Sequence, residues 1–241
     1  MPEKFDYINH YKIDAEKFDY FEQRFGATKD DEKRLREYII SKVPKHPTSV
    51  MDVGCGSGWV AEHFLSKSVP VISSDIAFLN VKKVLKIFSN EIHSGFAGDS
   101  FNPPIKKEKL NVIISSEVIE HVVDPEKFIH SLYNLLDKNG ILIISTPYKE
   151  ILKYILCTHC NQKTPIHAHL HSFSEQDFVN IASKLQNVKF DYYIFGNKAL
   201  IFLRMYVILK YLPFTLWKYI DYLANKILNK PAHLVLVFRK N

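Results

Sequence analysis

The first residues with chemical potential surround a glycine-rich turn. The segment 49–59 reads SVMDVGCGSGW and predicts a short buried strand, a sharp turn through Gly54, Gly56 and Gly58, and the start of a helix. Glycines let backbone N–H groups approach a ligand closely, so this strand–turn–helix unit is typical of a nucleotide-binding fold. Asp52 lies inside the strand, where a carboxylate would repel a pyrophosphate but suits a ligand that carries an ammonium group.

S-adenosylmethionine meets these requirements, because it carries an ammonium and a sulfonium group and no phosphate. The turn has the spacing G-x-G-x-G, and Trp59 stands where a dinucleotide-binding fold has its third glycine. A second buried strand, 69–76, places Asp75 about 20 residues after Gly54. In α/β nucleotide folds this position holds the carboxylate that accepts hydrogen bonds from ribose hydroxyls.

The elements that must position these residues alternate between strands and helices. Strands are predicted at 50–53, 69–76, 95–97, 110–116, 141–146, 188–195 and 233–238. Near-continuous apolar strands separated by helices are typical of a mainly parallel sheet covered on both faces, so the fold class is α/β. Ligands of such sheets bind at the carboxyl ends of the strands. The acidic residues at those ends, which we expect to share one site, are Asp52, Asp75, Asp99 and Glu117.

Four segments carry a family resemblance. VMDVGCGSG, SSDI, GDS and SSEVIEHVVDPEKF resemble motifs of class I S-adenosylmethionine-dependent methyltransferases, in particular small-molecule enzymes of the ubiquinone-biosynthesis type. The resemblance covers roughly residues 45–150 and the C-terminal strands. It implies a Rossmann-like, seven-stranded, mainly parallel sheet with helices on both faces and an antiparallel last strand. It also implies methyl transfer from S-adenosylmethionine to a small molecule.

The resemblance further implies a set of cofactor-binding residues. They are Asp52, Gly54, Cys55, Gly56, Asp75, Ile76, Asp99, Ser100 and Glu117. Asp52 and Gly54 would border the methionine end of the cofactor. Asp75 would hold the ribose hydroxyls, with Ile76 against the adenine.

The same resemblance extends to the adenine edge and the far side of the site. Asp99 would accept a hydrogen bond from the adenine amino group, helped by the backbone at Ser100. Glu117 would close the cofactor site from the opposite side. The segment that begins at Ser115 lacks the Asn/Asp-Pro-Pro-aromatic tetrad of nucleobase amino-methyltransferases, which counts against base methylation.

Methyl transfer depends mainly on in-line positioning, because the sulfonium is already activated. An oxygen or nitrogen nucleophile also needs a proton acceptor, and histidine suits that role near neutral pH. His121 lies four residues after Glu117 and is the predicted catalytic residue. The alternative is a structural histidine that bonds to a neighbouring loop. Glu120 is expected to be solvated.

A cysteine–histidine segment, 157–173, follows the fifth strand. Cys157 and Cys160 have the C-x-x-C spacing of one half of a tetrahedral zinc site. His169 would be the third ligand and His167 the fourth, with His159 or His171 as substitutes. Such a zinc ion would be structural. The competing hypothesis is a metal-free loop that leads into the next helix.

Two further segments flank this core. Residues 1–44 are rich in aromatic side chains and predict a lid or a hydrophobic cover over the ligand edge. The insertion 199–230 is apolar and aromatic but interrupted by charges and by Pro213, which predicts two amphipathic helices in a single-domain protein. These helices could pack on the sheet, form a homodimer face or make peripheral contact with a membrane.

The composition limits the remaining choices. A net charge of +6 permits nucleic acid or an anionic membrane as a partner, but the basic residues are scattered. Three cysteines make no disulfide framework, and the N-terminal residues lack the apolar core of a signal peptide, so a cytoplasmic location is expected.

The predicted activity is methylation of a small molecule, with oxygen favoured as the atom and a lipid-linked or glycan precursor as one class of acceptor. Two alternatives stay open. One is an RNA methyltransferase, which would need a basic stripe beside the cofactor mouth. The other is a non-catalytic cofactor-binding or scaffold protein. No DNA partner is expected.

Overall fold

A seven-stranded sheet forms the centre of the computed structural model, which describes residues 6–22, 24–156, 161 and 163–241. The strands in chain order are β1 (Val50–Val53), β2 (Val71–Asp75), β3 (His93–Ala97), β4 (Leu110–Ser116), β5 (Leu136–Pro147), β6 (Tyr154–Leu156), β7 (Lys163–Pro165), β8 (Val188–Asn197) and β9 (Pro231–Lys240). The main sheet has the order β3-β2-β1-β4-β5-β9-β8, while β6 and β7 form a separate antiparallel pair.

Strand direction follows the predicted pattern. Strands β1 to β5 pair in parallel, and β9 lies antiparallel between β5 and β8. The helices in chain order are α1 (Tyr7–Lys17), α2 (Gly26–Ile40), α3 (Trp59–Leu65), α4 (Phe78–Ile87), α5 (Pro125–Tyr133), α6 (Glu175–Ala182), α7 (Lys198–Phe202), α8 (Tyr206–Leu209) and α9 (Phe214–Ile227). The prediction of a Rossmann-like, mainly parallel sheet with an antiparallel last strand is confirmed.

The sheet is buried on both faces because successive side chains of its strands enter different cores. Ile113 of β4 packs with α5 and α6 through Phe128 and Phe178, which are fully buried. The next residue, Ile114, belongs to the opposite core, which includes Val60 of α3. Continuous apolar strands are therefore required, as the sequence indicated.

Two of the helices begin with the capping interactions that their sequences favour. Asp124 accepts a hydrogen bond from the Lys127 N–H at the start of α5, and Ser174 with Asp177 forms a capping box on α6. Helix α2 begins at Gly26 and helix α1 precedes it. Within the N-terminal segment, residues 1–5 and 23 lie outside the described part of the chain.

The insertion between β8 and β9 differs from the prediction of two amphipathic helices, because it forms the three helices α7, α8 and α9. Pro213 separates α8 from α9 and is the N-cap residue of α9. Among the helices that the structure describes, none has the length and apolar character that crossing a membrane requires.

Candidate active site

One cavity of about 300 Å³ opens at the carboxyl ends of β1, β2 and β4. Most of the predicted site residues line it, namely Gly54, Cys55, Gly56, Asp75, Ile76, Asp99, Ser100, Glu117 and His121. Asp52 lies behind the glycine turn and does not line the cavity. Residues from four separate stretches of the chain therefore meet where parallel sheets bind ligands.

The turn after β1 requires glycine for steric reasons. Gly54, Gly56 and Gly58 all have positive φ angles, of 78°, 44° and 75°. A Cβ atom on Gly54 would collide with the side chain of Val118, which approaches from the segment after β4. The N–H groups of Gly54 and Cys55 donate to the Ser74 carbonyl oxygen at 2.8 and 2.9 Å, which fixes the turn against β2.

Asp75 ends β2 and is held in one orientation. Its carboxylate accepts hydrogen bonds from the Ala77 N–H at 2.9 Å, from the Asn80 side chain at 3.3 Å and from the Gly56 N–H at 3.4 Å. Burial raises the pKa of Asp75, and these donors oppose the shift. A carboxylate aimed across the cavity by several donors can accept further hydrogen bonds from ligand hydroxyls.

Asp52 is a buried acidic residue behind the glycine turn. Its side chain is 2% exposed, and its Oδ2 atom has no hydrogen-bond partner among the described residues. Burial, reinforced by the charge of Asp75, raises the pKa of Asp52 to about 8. A cationic ligand group near the turn would favour the ionised carboxylate, which is the interaction expected with an ammonium group.

The segment after β3 also lines the cavity. Asp99 accepts a hydrogen bond from the Phe101 N–H at 3.0 Å, and the Ser100 carbonyl oxygen accepts one from the Ser131 hydroxyl. Phe128 of α5 is another lining residue. A polar rim beside an aromatic surface suits a planar heterocycle.

Glu117 has an unusual backbone conformation. Its φ angle is 56°, a region that non-glycine residues rarely adopt and that is concentrated at functional sites. Its carboxylate accepts a hydrogen bond from the Ser145 hydroxyl of β5 at 2.9 Å. Burial raises its pKa, while the nearby His233 opposes the shift.

Glu120 is buried, so the expectation that it is solvated was wrong. Its side chain is 1% exposed, and its Oε2 atom accepts a hydrogen bond from the Thr146 hydroxyl at 3.0 Å. The segment after β4 forms a single 3-10 turn, Ile119–His121, which directs Glu120 towards β5. Burial, and then the charge of Glu117, raises the pKa of Glu120 well above its ordinary value.

His121 lies between the cavity and a neighbouring loop. It lines the cavity, and its Nδ1 atom lies 3.3 Å from the Ala168 carbonyl oxygen in the loop before α6. Burial lowers the pKa of His121 to about 4, so the imidazole is neutral near pH 7. If Nδ1 carries the proton for the Ala168 carbonyl oxygen, Nε2 is left as an acceptor.

The predicted zinc ligands fall partly outside the described residues. Cys157 and Cys160 lie in the undescribed segment 157–160, whereas the rings of His167 and His169 lie 5.8 Å apart. His169 also stands beside His121, with ring centroids 4.8 Å apart, and bonds to the Glu150 carboxylate through Nδ1.

A second donor set shares His169. One ligand atom from each of Glu120, His121 and His169 lies within 4.8 Å of the others. A carboxylate and two imidazoles are donors that divalent transition metals accept, and the Glu150 partner of His169 is the kind of outer contact that orients a metal ligand. These three residues could hold a metal ion beside the cavity, which His121 lines.

Several cavity residues were not identified from the sequence. Tyr11 of α1 and Tyr20 just after it both line the cavity, and Tyr20 bonds to the Asp14 carboxylate. The Tyr11 ring lies 5.3 Å from the His121 ring, and its hydroxyl has no partner among the described residues. The aromatic content of residues 1–26 was the available signal, but it could not say which rings face the ligand.

The sheet order and the ligand edge define a class I methyltransferase fold. The chain belongs to the family described as "Methyltransferase domain", whose model matches residues 20–186. This membership confirms the class that the four sequence segments indicated.

Individual relatives agree with the family. The chain is 31% identical over 128 residues to a ubiquinone biosynthesis O-methyltransferase of Pelagibacter ubique, a match that covers 52% of this chain and 53% of that protein. The chain thus spans about half the length of the curated relatives it matches.

Solved structures show the same fold at low identity. An S-adenosylmethionine-dependent methyltransferase from Mesorhizobium loti superposes with a TM-score of 0.63 at 12% identity, covering 88% of this chain and 100% of that one. The phosphoethanolamine N-methyltransferase 2 of Haemonchus contortus, in complex with S-adenosyl-L-methionine, gives a TM-score of 0.58 at 14% identity, over 87% of this chain and 52% of that one.

Proposed function

We propose that this protein transfers a methyl group from S-adenosylmethionine to an oxygen atom of a small molecule. The observation that carries the proposal is the cavity at which the glycine turn, Asp75, Asp99 and Glu117 meet. The preference for oxygen is supported by the relatives named as ubiquinone biosynthesis O-methyltransferases.

The chain's own residues would bind the cofactor by its three chemical parts. Asp75 would accept hydrogen bonds from the ribose hydroxyls, and the segment at Asp99 and Ser100 would meet the adenine edge. The glycine turn, with the buried Asp52 behind it, would receive the methionine end. Once S-adenosylmethionine is bound, it supplies an activated methyl group, so the protein's task is to align an acceptor with it.

His121 would act on the molecule that receives the methyl group. A neutral imidazole with Nδ1 turned to the Ala168 carbonyl oxygen presents Nε2 as a proton acceptor for an acceptor hydroxyl. The Tyr11 ring packs at the edge of His121, and its unpartnered hydroxyl would complete a hydrogen bond with a bound ligand. Tyr11 and Tyr20 would also exclude water, as the lid predicted for residues 1–44.

The acceptor class follows from the same surroundings. The rings of Tyr11 and Tyr20 at this cavity suit a small apolar or phenolic acceptor, including the head of a lipid-linked or glycan precursor, better than a folded RNA. The protein would act in the cytoplasm.

A zinc ion is the second part of the proposal. Cys157 and Cys160, with His169 and His167, would hold a structural zinc ion that braces the loop before α6. The competing position is the set of Glu120, His121 and His169. Metal analysis of purified variants separates the two: Cys157→Ser with Cys160→Ser would remove a structural zinc ion, whereas Glu120→Gln would remove a metal from the active site.

The experiment that tests the proposed activity follows a labelled methyl group. The protein is incubated with methyl-labelled S-adenosylmethionine and, in parallel, with simple phenols, an organic extract of small molecules and lipids, and total RNA. Label in a phenol or in the organic extract, lost with His121→Gln, would support the proposal. Label only in RNA would refute small-molecule methylation, and label in none of them would favour the scaffold alternative.

A further inference from the structure

The insertion α7–α9 lies at the same edge of the sheet as the candidate active site. It begins where β8 ends and returns to the start of β9, and Asn197 pairs with Pro231 at this junction. His233, two residues later, pairs with Pro147 at the carboxyl end of β5. The carboxyl ends of the parallel strands β1 to β5 form the ligand edge, so the insertion projects beside it.

The inner side of the insertion is firmly attached. Asp221 of α9 is buried, and its carboxylate accepts hydrogen bonds from the N–H groups of Asn197 at 2.7 Å and Gly196 at 3.0 Å. Arg34 of α2 donates to the carbonyl oxygens of Leu209 at 2.6 Å and Leu212 at 3.0 Å. The Asp221 contacts fix which side of α9 faces solvent, and the Arg34 contacts hold the end of α8 against α2.

The outer side of α9 is apolar as well. Leu216, Tyr219, Leu223 and Ile227 follow one another at helical spacing and are all exposed, with Ile227 at 87%. Helices of water-soluble folds normally turn a polar stripe to solvent, so a helix that is apolar on both sides indicates a further partner.

Helices α7 and α8 extend this exposed apolar surface. Phe202 is 86% exposed at the end of α7, and Leu203 follows it directly. Ile208 and Tyr211 are exposed in and just after α8. We refer to these residues and the outer stripe of α9 as the insertion surface.

The charge of the insertion narrows the kind of partner. Residues 198–230 contain six basic side chains, which are Lys198, Arg204, Lys210, Lys218, Lys226 and Lys230. Their one acidic residue is Asp221, which is buried in backbone hydrogen bonds. The exposed side of the insertion is therefore both apolar and uniformly basic.

We propose that the insertion surface binds the interface of an anionic membrane, with the helices lying in the plane of the bilayer. Exposed aromatic and aliphatic side chains would enter the boundary between headgroups and acyl chains, and the lysines would meet anionic headgroups. A second copy of this chain fits less well, because its equivalent surface carries the same positive charge. Membrane contact would place the ligand edge close to acceptors that reside in the bilayer.

Vesicle co-sedimentation tests this proposal. We expect wild-type protein to bind vesicles of phosphatidylcholine and phosphatidylglycerol much more tightly than vesicles of phosphatidylcholine alone, and to lose binding as salt rises. Phe202→Ser with Ile227→Ser, and separately Lys218→Glu with Lys226→Glu, should each lower the partition coefficient by about tenfold or more. The matched controls on α4, Ile87→Ser and Lys82→Glu with Lys86→Glu, should leave it within about twofold.

S-adenosylmethionine binding, measured by calorimetry on the same preparations, separates this inference from the proposed function. Equal cofactor binding in every variant would show that each one is folded, so a loss of vesicle binding in the insertion variants would come from the changed surface. A wild type that binds S-adenosylmethionine but no vesicles would refute the membrane inference and leave the proposed function standing. The inference is also refuted if Phe202→Ser with Ile227→Ser abolishes a dimer seen in analytical ultracentrifugation without lipid.

Discussion

The imidazole rings of His121 and His169 lie 4.8 Å apart with their planes inclined at 70°. The first residue follows β4 and the second belongs to the loop before α6, so the cysteine–histidine segment reaches into the candidate active site. The loop in which a structural zinc ion was predicted therefore contacts the predicted catalytic histidine. Changes in this loop are expected to alter acceptor methylation as well as stability.

His121 should be required for turnover and dispensable for cofactor binding. His121→Gln removes the proton acceptor but keeps a polar side chain of similar size, so we expect kcat to fall by about 10²-fold or more. The Kd for S-adenosylmethionine should stay within about threefold, because the proposed function assigns His121 to the acceptor and not to the cofactor. His130→Gln on α5, outside the cavity, is the control. An unchanged kcat in His121→Gln would show that His121 is structural.

The backbone of the glycine turn should not tolerate a Cβ atom. In Gly54→Ala the new methyl group meets Val118 at a positive φ angle, so we expect the unfolding free energy to fall by about 2 kcal/mol or more. Gly98→Ala is the control, since its nearest contact would be Phe96 at an ordinary 3.8 Å. Chemical denaturation of the ligand-free proteins measures both. If the two variants have equal stability, the steric argument for Gly54 is wrong.

Replacing Asp52 should weaken cofactor binding while leaving the stability of the ligand-free protein nearly unchanged. The folded protein keeps Asp52 protonated up to about pH 8, whereas the unfolded chain ionises it near 3.8, so this group lowers stability as pH rises through that interval. Asp52→Asn should remove that decline and cost little stability without ligand. S-adenosylmethionine should bind about tenfold or more weakly, because the charged partner of its ammonium group is lost. Equal affinity in wild type and variant would contradict the role of Asp52.

The interaction between His233 and Asp31 should make the protein less stable as pH rises. A carboxyl group whose pKa is lowered by folding has the opposite effect. Burial lowers the pKa of His233, but the hydrogen bond from its Nε2 to Asp31 at 3.0 Å and the charges of Asp31, Glu117 and Asp221 outweigh it, so the net pKa is raised. The contribution of His233 to the unfolding free energy is thus fully present below its pKa in the unfolded chain, near 6.5. It is lost as pH rises through its pKa in the folded protein.

The test of this pair is Asp31→Asn. We expect it to lower the unfolding free energy by roughly 1–3 kcal/mol at pH 6 and by less at pH 9. Thermal unfolding between these pH values measures the difference, with Asp30→Asn on the same helix as the control. A loss that is equal at both pH values would show that His233 does not bind a proton in the folded protein.

Local pattern was sufficient for much of the fold and for one side of the site. The alternation of apolar strands and helices predicted the parallel sheet, and the spacing between Gly54 and Asp75 placed two strand ends beside one ligand edge. Such features depend on a few neighbouring residues and on the topology that they share with other α/β folds.

Other features depend on contacts between distant segments. Glu120 is buried because Thr146 of β5 donates to it, and no spacing within residues 117–121 indicates that partner. The choice of Tyr11 and Tyr20 as cavity rings depends on how α1 lies over the sheet. The outer apolar face of α9 could not be predicted either. The sequence shows that the helix is rich in apolar residues, but it does not show that the side with Trp217 and Asp221 is the buried one.

The most direct test of the account is calorimetric titration of the purified protein with S-adenosylmethionine and with S-adenosylhomocysteine. We predict micromolar binding of the cofactor, about −8 kcal/mol, that is lost in Asp75→Ala and retained in Asp191→Ala, an aspartate that pairs with Arg239 far along β8 from the cavity. The absence of heat and of thermal stabilisation with either ligand, in protein that unfolds cooperatively, would contradict the methyltransferase function.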